Sequence, residues 1–481
     1  MRLEAIRFIF ILCMISALAN CGQETDDGFS PPVVEPPDTE VPVVDMYLTT
    51  PNQTALFELQ SNGINPVNES LENTITVNPV NEFQPIDGFG FALTGGSALH
   101  INSMSEGAKS ALLNELFGNG SDDIGISFIR ISIGSSDLDA EVFSYSETVD
   151  DQTHNNFTLE KDKDHLIPVL KEIIGINPEI KIMASPWSPP VWMKSNGSSV
   201  GGSLLTENYE SYSMYLKMYI QQMEAEGINI THLTIQNEPL NPFNNPSLLM
   251  TATEQTDFIK NHLGPAFEAA AINTKIVIYD HNPDRIDYPT EVLEDEQAAK
   301  YIDGSAFHLY AGSIQALSTL RNRFPEKNIY FTEQWFEAGG SFSEDLKWHI
   351  REVVIGSMRN WSRSVIEWNL SSDLRFDPHT PGGCDDCLGG ITINGDAVSR
   401  NAGYYVINHV SKLVPAGSVR IDSNMPNVLP NVAFKTPDNT VILLVLNNTV
   451  SLQSFNINEG KTAFSASLDP GAVATFQWPL N

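Results

Sequence analysis

The chain has 481 residues, with 60 Asp and Glu against 27 Lys and Arg and a formal net charge of −33. That length accommodates a large domain and a smaller companion. So acidic a surface argues against nucleic acid or anionic lipid as a partner and suits a solvated protein acting on a neutral substrate.

At the N-terminus, Arg2 and Arg7 precede an apolar run, 8–18, that is too short to span a bilayer and ends in Leu18-Ala19-Asn20-Cys21. The segment resembles a bacterial lipoprotein signal, which implies removal of 1–20, a lipid on Cys21 and a surface-exposed anchor in the outer membrane. A plain secretory signal with a chance cysteine is the alternative. The acidic Gly22-Gln23-Glu24-Thr25-Asp26-Asp27 that follows is similar to the surface-export signals of Bacteroidetes lipoproteins. Residues 21–45 are rich in proline and acid and read as an extended tether, because such a stretch cannot bury a core.

Strand-like runs at 45–49, 55–60 and 74–77 come next, broken by Asn, Gly and Pro. Eight apolar strand candidates then appear in order, at 86–93, 124–133, 180–185, 232–236, 275–280, 306–310, 328–332 and 364–368. Between them the helical period is clearest at 105–117, 159–174, 208–226, 253–271 and 343–360, and a last helix is expected at 397–413. Continuous apolar strands alternating with helices are what a (β/α)8 barrel requires, since its strands are covered on both faces. The fold class is therefore α/β, with the barrel over 86–414. A doubly wound open sheet competes poorly, because no Gly-rich phosphate loop follows the first strand. After 415 the runs 432–435, 440–446, 451–457 and 472–478 are separated by Asn-Asn, Glu-Gly and Pro-Gly turns and read as antiparallel strands. The early strands are too few to be stable alone, so 46–85 and 415–481 are expected to form one appended β-sandwich.

Barrel active sites lie at the carboxyl ends of the strands. Those ends carry Asp87 to Thr94, Arg130 with Asp137, Trp187 with Trp192 and Lys194, Asn237 with Glu238, His308 with Tyr310, Glu333 with Trp335, and Trp368 with Asn369. Two glutamates close short β-branched strands, in Thr234-Ile235-Gln236-Asn237-Glu238-Pro239 and Ile329-Tyr330-Phe331-Thr332-Glu333-Gln334-Trp335. A carboxylate is costly to bury unpaired, and two facing one pocket are the equipment of a glycosidase. In this reading Glu238 is the acid/base and Glu333 the nucleophile. Asn237 donates to the sugar 2-hydroxyl, Tyr310 and His308 hold Glu333 ionised, and Arg130 adds positive charge. The pKa of Glu238 is expected to be raised by burial and by its anionic neighbour.

Cys384 and Cys387 form a CxxC pair, which can be redox-active or half of a zinc site. No second CxxC or CxxH completes a tetrahedral site, so a local disulfide stiffening a loop is favoured in an oxidising compartment. No ligand spacing suggests a metal, and the chemistry needs no organic cofactor.

Further motifs carry a resemblance. They are Gly88-Phe89-Gly90-Phe91-Ala92-Leu93-Thr94, Phe128-Ile129-Arg130-Ile131-Ser132, Ala184-Ser185-Pro186-Trp187-Ser188-Pro189-Pro190-Val191-Trp192-Met193-Lys194, Gln236-Asn237-Glu238-Pro239, His308-Leu309-Tyr310, Thr332-Glu333 and Trp368-Asn369-Leu370. Together they resemble glycoside hydrolase family 30, the family of lysosomal glucosylceramidase, over about 46–481. The resemblance implies a retaining enzyme with a barrel and a β-sandwich built from both chain ends. It makes Asp137, Trp187, Asn237, Tyr310 and Trp368 substrate-binding residues, with Arg130 and His308 as supports. The loop carrying Cys384 and Cys387 is similar to bacterial members acting on glucans, so β-1,6 bonds in a β-glucan are the expected substrate. Glucosylceramide or a β-xyloside is the alternative within the family. A surface glycan-binding protein without catalysis is the alternative of a different class.

Overall fold

The structure, a computed structural model, describes residues 43–480. The signal-like segment, Cys21 and nearly all of the expected tether lie outside the described residues. Eight parallel strands close into a barrel. In chain order they are β1 (Gly88–Ala92), β2 (Phe128–Ile133), β3 (Lys181–Pro186), β4 (His232–Thr234), β5 (Lys275–His281), β6 (Ile302–His308), β7 (Asn328–Glu333) and β8 (Ser362–Asn369). Each pairs with its sequence neighbours, and β8 returns to β1 through the register Ser364↔Gly88. Gly90 lies against β2, where a Cβ would come within 2.1 Å of the Phe128 carbonyl oxygen, so only glycine permits this approach.

Strand alternation sorts the side chains. One set points inward: Phe128, Met183, Val277, Ala306, Tyr330 and Ile366 form a separate apolar plug inside the barrel. Outward-facing Ile129, Ile131, Ile182 and Ile276 pack with the helices in the main core. Two residues further along the inward face of each strand the plug gives way to polar side chains. Arg130 follows Phe128, Ser185 follows Met183, His308 follows Ala306, Thr332 follows Tyr330 and Trp368 follows Ile366. That second layer is the floor of the barrel mouth.

A nine-stranded sheet system forms the second lobe. The N-terminal strand Asp45–Thr49 pairs antiparallel with the C-terminal Val473–Pro479, and Thr74–Pro85 pairs with both Val419–Ser423 and Gln453–Asn458. A core including Ile75, Val77, Ile421, Phe455, Phe464, Phe476 and Trp478 is buried there. Two differences from the sequence reading concern elements. The expected helix over 397–413 begins at Ala402, because Ala397–Arg400 pairs as a strand with Ile391–Asn394. The strands Val419–Ser423 and Ala463–Leu468 were not expected; small and polar residues in both conceal their half-buried alternation.

Candidate active site

Seven of the eight strands deliver a buried polar or aromatic group to the mouth. Arg130, fully buried on the inward face of β2, is the hub. Its guanidinium donates to Glu333 Oε2 at 2.5 Å, Asp280 Oδ2 at 2.8 Å, Asn237 Oδ1 at 2.7 Å and Ser185 Oγ at 3.2 Å. It also lies over the rings of Trp187 and Trp368, 4.8 and 5.9 Å from their centroids, so the cation is held from one face by aromatic quadrupoles. The two indoles are 5.4 Å apart and tilted by 30°.

His308 is the second hub. Its Nε2 lies 3.2 Å from Asp280 Oδ1, and its Nδ1 lies 3.2 Å from Glu238 Oε1 and 3.5 Å from Glu333 Oε1. Burial alone would lower its pKa, but Glu333, Asp280 and Glu238 together raise it to about 10. The ring is therefore a cation that donates from both nitrogens. Because both glutamates meet one nitrogen, their Oε1 atoms can be no further apart than those two contacts laid end to end. That limit accommodates the about 5–5.5 Å carboxyl separation of retaining pairs.

Glu238 stands on a backbone with φ of +45°, a left-handed conformation unusual for its residue type. Its N–H donates to the Asp280 carbonyl at 3.0 Å, and its Oε2 accepts from Asn241 Nδ2 at 2.7 Å. Burial raises the Glu238 pKa, yet contacts with His281 and His308 outweigh it and hold the carboxyl well below its usual range. This corrects the expectation of a raised value: the imidazoles of His281 on β5 and His308 on β6 face Glu238, and their contacts outweigh the burial that opposes ionisation. Glu333 accepts from Tyr310 Oη at 3.0 Å in addition to Arg130.

These groups border a cavity of ≈ 440 Å³ lined by Asp137, Trp187, Asn237, Glu238, Asn241, Asn244, His281, Asn282, Tyr310, Glu333, Trp335, Trp368, Cys384, Asp386 and Cys387. The volume is that of a small-ligand cleft. Asp137, Trp187, Asn237, Tyr310 and Trp368 thus all reach it, with both glutamates, while Arg130 and His308 lie behind them. Asp137 is pushed up to about 7, first by burial and then by the charge of Glu333. Its Oδ1 is buried without a partner, whereas Oδ2 accepts the Cys384 N–H at 3.4 Å. The two cysteines form a disulfide.

Other strand-end residues serve elsewhere. Lys194 donates to Ser188 Oγ and to the carbonyls of Ser199 and Ser247, Trp192 donates to the Ser146 carbonyl, and Asn369 accepts from Thr94 and Ser97. Asp87 lies at the opposite end of the barrel, bonded to Lys181 and Arg363.

Asp280 and His281 escaped the sequence reading. With Val277 inward, simple alternation sends Tyr279 inward and Asp280 outward. Instead Tyr279 and Asp280 adopt φ of +73° and +63°, and pairing with β6 slips between Tyr279 and His281. The bulge returns Asp280 to the interior, where Arg130 and His308 hold it ionised against its burial. Glu238, His281 and His308 also offer three metal-ligand atoms within 4.8 Å, a grouping hidden by sequence distance. A doubly protonated His308 has no lone pair for a metal, so the cluster reads as an ion-paired network.

A glycosyl hydrolase family 30 TIM-barrel model matches residues 86–414, and the β-sandwich model of the same family matches 417–476. An endo-1,6-β-D-glucanase of Trichoderma harzianum is 32% identical over 76% of this chain and 78% of its own length. Mouse lysosomal acid glucosylceramidase is 27% identical over 84% and 83%. A solved endo-β1,6-glucanase superposes with a TM-score of 0.85 at 35% identity, covering 91% of this chain and 100% of that one.

Proposed function

Since the chain belongs to glycosyl hydrolase family 30, we propose that it cleaves β-1,6-glucosidic bonds of neutral glucans with retention, Glu333 acting as nucleophile and Glu238 as acid/base. The observation that carries this reading is the convergence of both glutamates on one nitrogen of His308. Glu333 attacks the anomeric carbon while Arg130 and Tyr310 hold it in place by hydrogen bonds. Glu238 protonates the departing oxygen, and then activates the water that releases the glycosyl ester.

Glu238 is held ionised in the empty site, so it must take up a proton, from solvent or from the His308 cation beside it, when substrate binds. A sugar that fills the cavity expels water and strengthens the burial that already opposes ionisation. Esterification of Glu333 then removes an anion from the site and returns Glu238 to the base form. Asn237 offers its amide N–H groups to the sugar, because its carbonyl oxygen is committed to Arg130. Among the described residues the cavity lining has four carboxylates and neither lysine nor arginine. Such a lining repels uronic acids and accepts hydroxyls, which favours a neutral substrate over an acidic xylan.

Incubation with pustulan, a β-1,6-glucan, tests the reading: wild type is expected to release products with β configuration at first, and Glu333→Gln to release none. Initial α products, or equal negligible turnover of pustulan by both proteins, would overturn it, the latter in favour of a non-catalytic glycan binder. Similarity to the mouse enzyme supports a second reading, a β-glucosidase acting on glucosylceramide, which comparison of that lipid with pustulan decides. We also propose lipid anchoring through Cys21. Incorporation of labelled palmitate that survives Cys21→Ala would refute it.

A further inference from the structure

The disulfide loop is part of the substrate cleft. Cys384, Asp386 and Cys387 line the same cavity as the two glutamates, yet neither the fold nor the chemistry above gives them a task. The loop is fixed from three sides of the barrel mouth. On the β2 side, the Thr380 N–H donates to the Asp137 carbonyl at 2.8 Å and the Cys384 N–H donates to the Asp137 carboxylate at 3.4 Å. Gly383 permits this closeness, since a Cβ there would lie 2.5 Å from the Asp137 carbonyl oxygen. On the β4 side, Asn245 Nδ2 donates to the Pro381 carbonyl at 2.9 Å. On the β7 side, Cys387 pairs with Glu337, and the Ala338 N–H donates to the Asp386 carbonyl at 2.8 Å.

Asp386 thus lines the cavity with its carbonyl committed to the Ala338 N–H and its Oδ1 3.4 Å from Cys384 Sγ. A polar wall that joins three strand ends can bind a ring only if its own position is fixed, and a three-residue disulfide span supplies that rigidity. We propose that the Cys384–Cys387 bridge is a positioning device for sugar binding, which holds Asp386 as an acceptor for glucosyl hydroxyls and fixes Asp137 through the Cys384 N–H. The sugar's identity rests on the β-1,6-glucanase reading; the role of the wall does not.

Titration of gentiobiose, the β-1,6-linked glucose disaccharide, into the Glu333→Gln protein tests this, with indole fluorescence of Trp187, Trp335 and Trp368 as the signal. Asp386→Asn and Cys384→Ser/Cys387→Ser, each made in that background, are expected to weaken binding about tenfold, the loss of a charged hydrogen bond or of its alignment. In the active enzyme, dithiothreitol should raise KM for pustulan several-fold with little change in kcat, reversibly on reoxidation and without effect on the double-serine variant. Gentiobiose affinity unchanged by Asp386→Asn and by the serine pair overturns the proposal. So does a KM insensitive to dithiothreitol once two free thiols have been titrated. A parallel titration with laminaribiose, the β-1,3 isomer, separates the two ideas: preference for laminaribiose with the same loss in the variants sinks the linkage assignment and leaves the wall in place. If the serine pair fails to fold, the reductant series and Asp386→Asn still decide.

Discussion

Both ends of the barrel bury charge, but they balance it differently. At the amino end of the strands Asp87 is bonded to Lys181 and Arg363, two cations for one carboxylate, and these pairs outweigh burial to lower its pKa. At the carboxyl end Arg130 and His308 face three carboxylates, Asp280, Glu333 and Glu238, and one oxygen of Asp137 nearby has no partner. The first arrangement is complete as it stands. The second is completed only by a ligand that brings hydroxyl donors and, in the transition state, positive charge at carbon.

The largest test of that contrast is chemical. Glu333→Gln should lower kcat by about 10⁴-fold or more, as removal of a nucleophile does in other covalent enzymes, and azide should not restore it at that position with retained configuration. Glu238→Gln should lose about 10²–10⁴-fold on glucans and far less on an aryl glucoside whose leaving group needs no proton. A comparable loss on both substrates would deny Glu238 the acid role.

Next come the two arginines. Arg130→Met leaves the buried carboxylates of Asp280 and Glu333 without their guanidinium and should cost about 3–5 kcal/mol of stability by urea unfolding, together with activity. Arg363→Met leaves Asp87 with Lys181 and should cost about 1–3 kcal/mol while kcat and KM stay as they were. Equal stability losses in the two variants would erase the distinction between the barrel ends.

The finest test is pH dependence. A carboxyl lowered by pairing, such as Asp87, contributes stability above its unfolded pKa of about 3.9 and loses it as pH falls through the folded value. Asp137 behaves oppositely. Raised to about 7, it makes the fold less stable as pH climbs from about 4 towards 7, and Asp137→Asn should flatten that slope in thermal melts. For Glu238, held ionised in the free site, the alkaline limb of kcat should lie at higher pH than that of kcat/KM, since the complex raises its pKa. Coincident limbs would mean that substrate does not alter its proton.

How much of this was legible in the chain depends on parity. Strand positions that alternate regularly were readable: Phe128 and Arg130, Ala306 and His308, Tyr330 and Thr332 fall on one face because a single residue separates the members of each pair. Asp280 was not, because the bulge at Tyr279 and Asp280 breaks the alternation. His281 was hidden by the same slip. The cysteine pair was readable as a bridge, but its address beside Asp137 was not, since the loop's partners lie on β2, β4 and β7.

By itself the sequence determined the kind of strand and helix, their order, and the presence of two glutamates at strand ends, because these follow from local periodicity and residue type. Only the tertiary structure decided the charge on Glu238, as Coulomb energies fall with distances that chain separation does not encode. Glu238 carries charge because imidazoles 43 and 70 positions downstream fold against it.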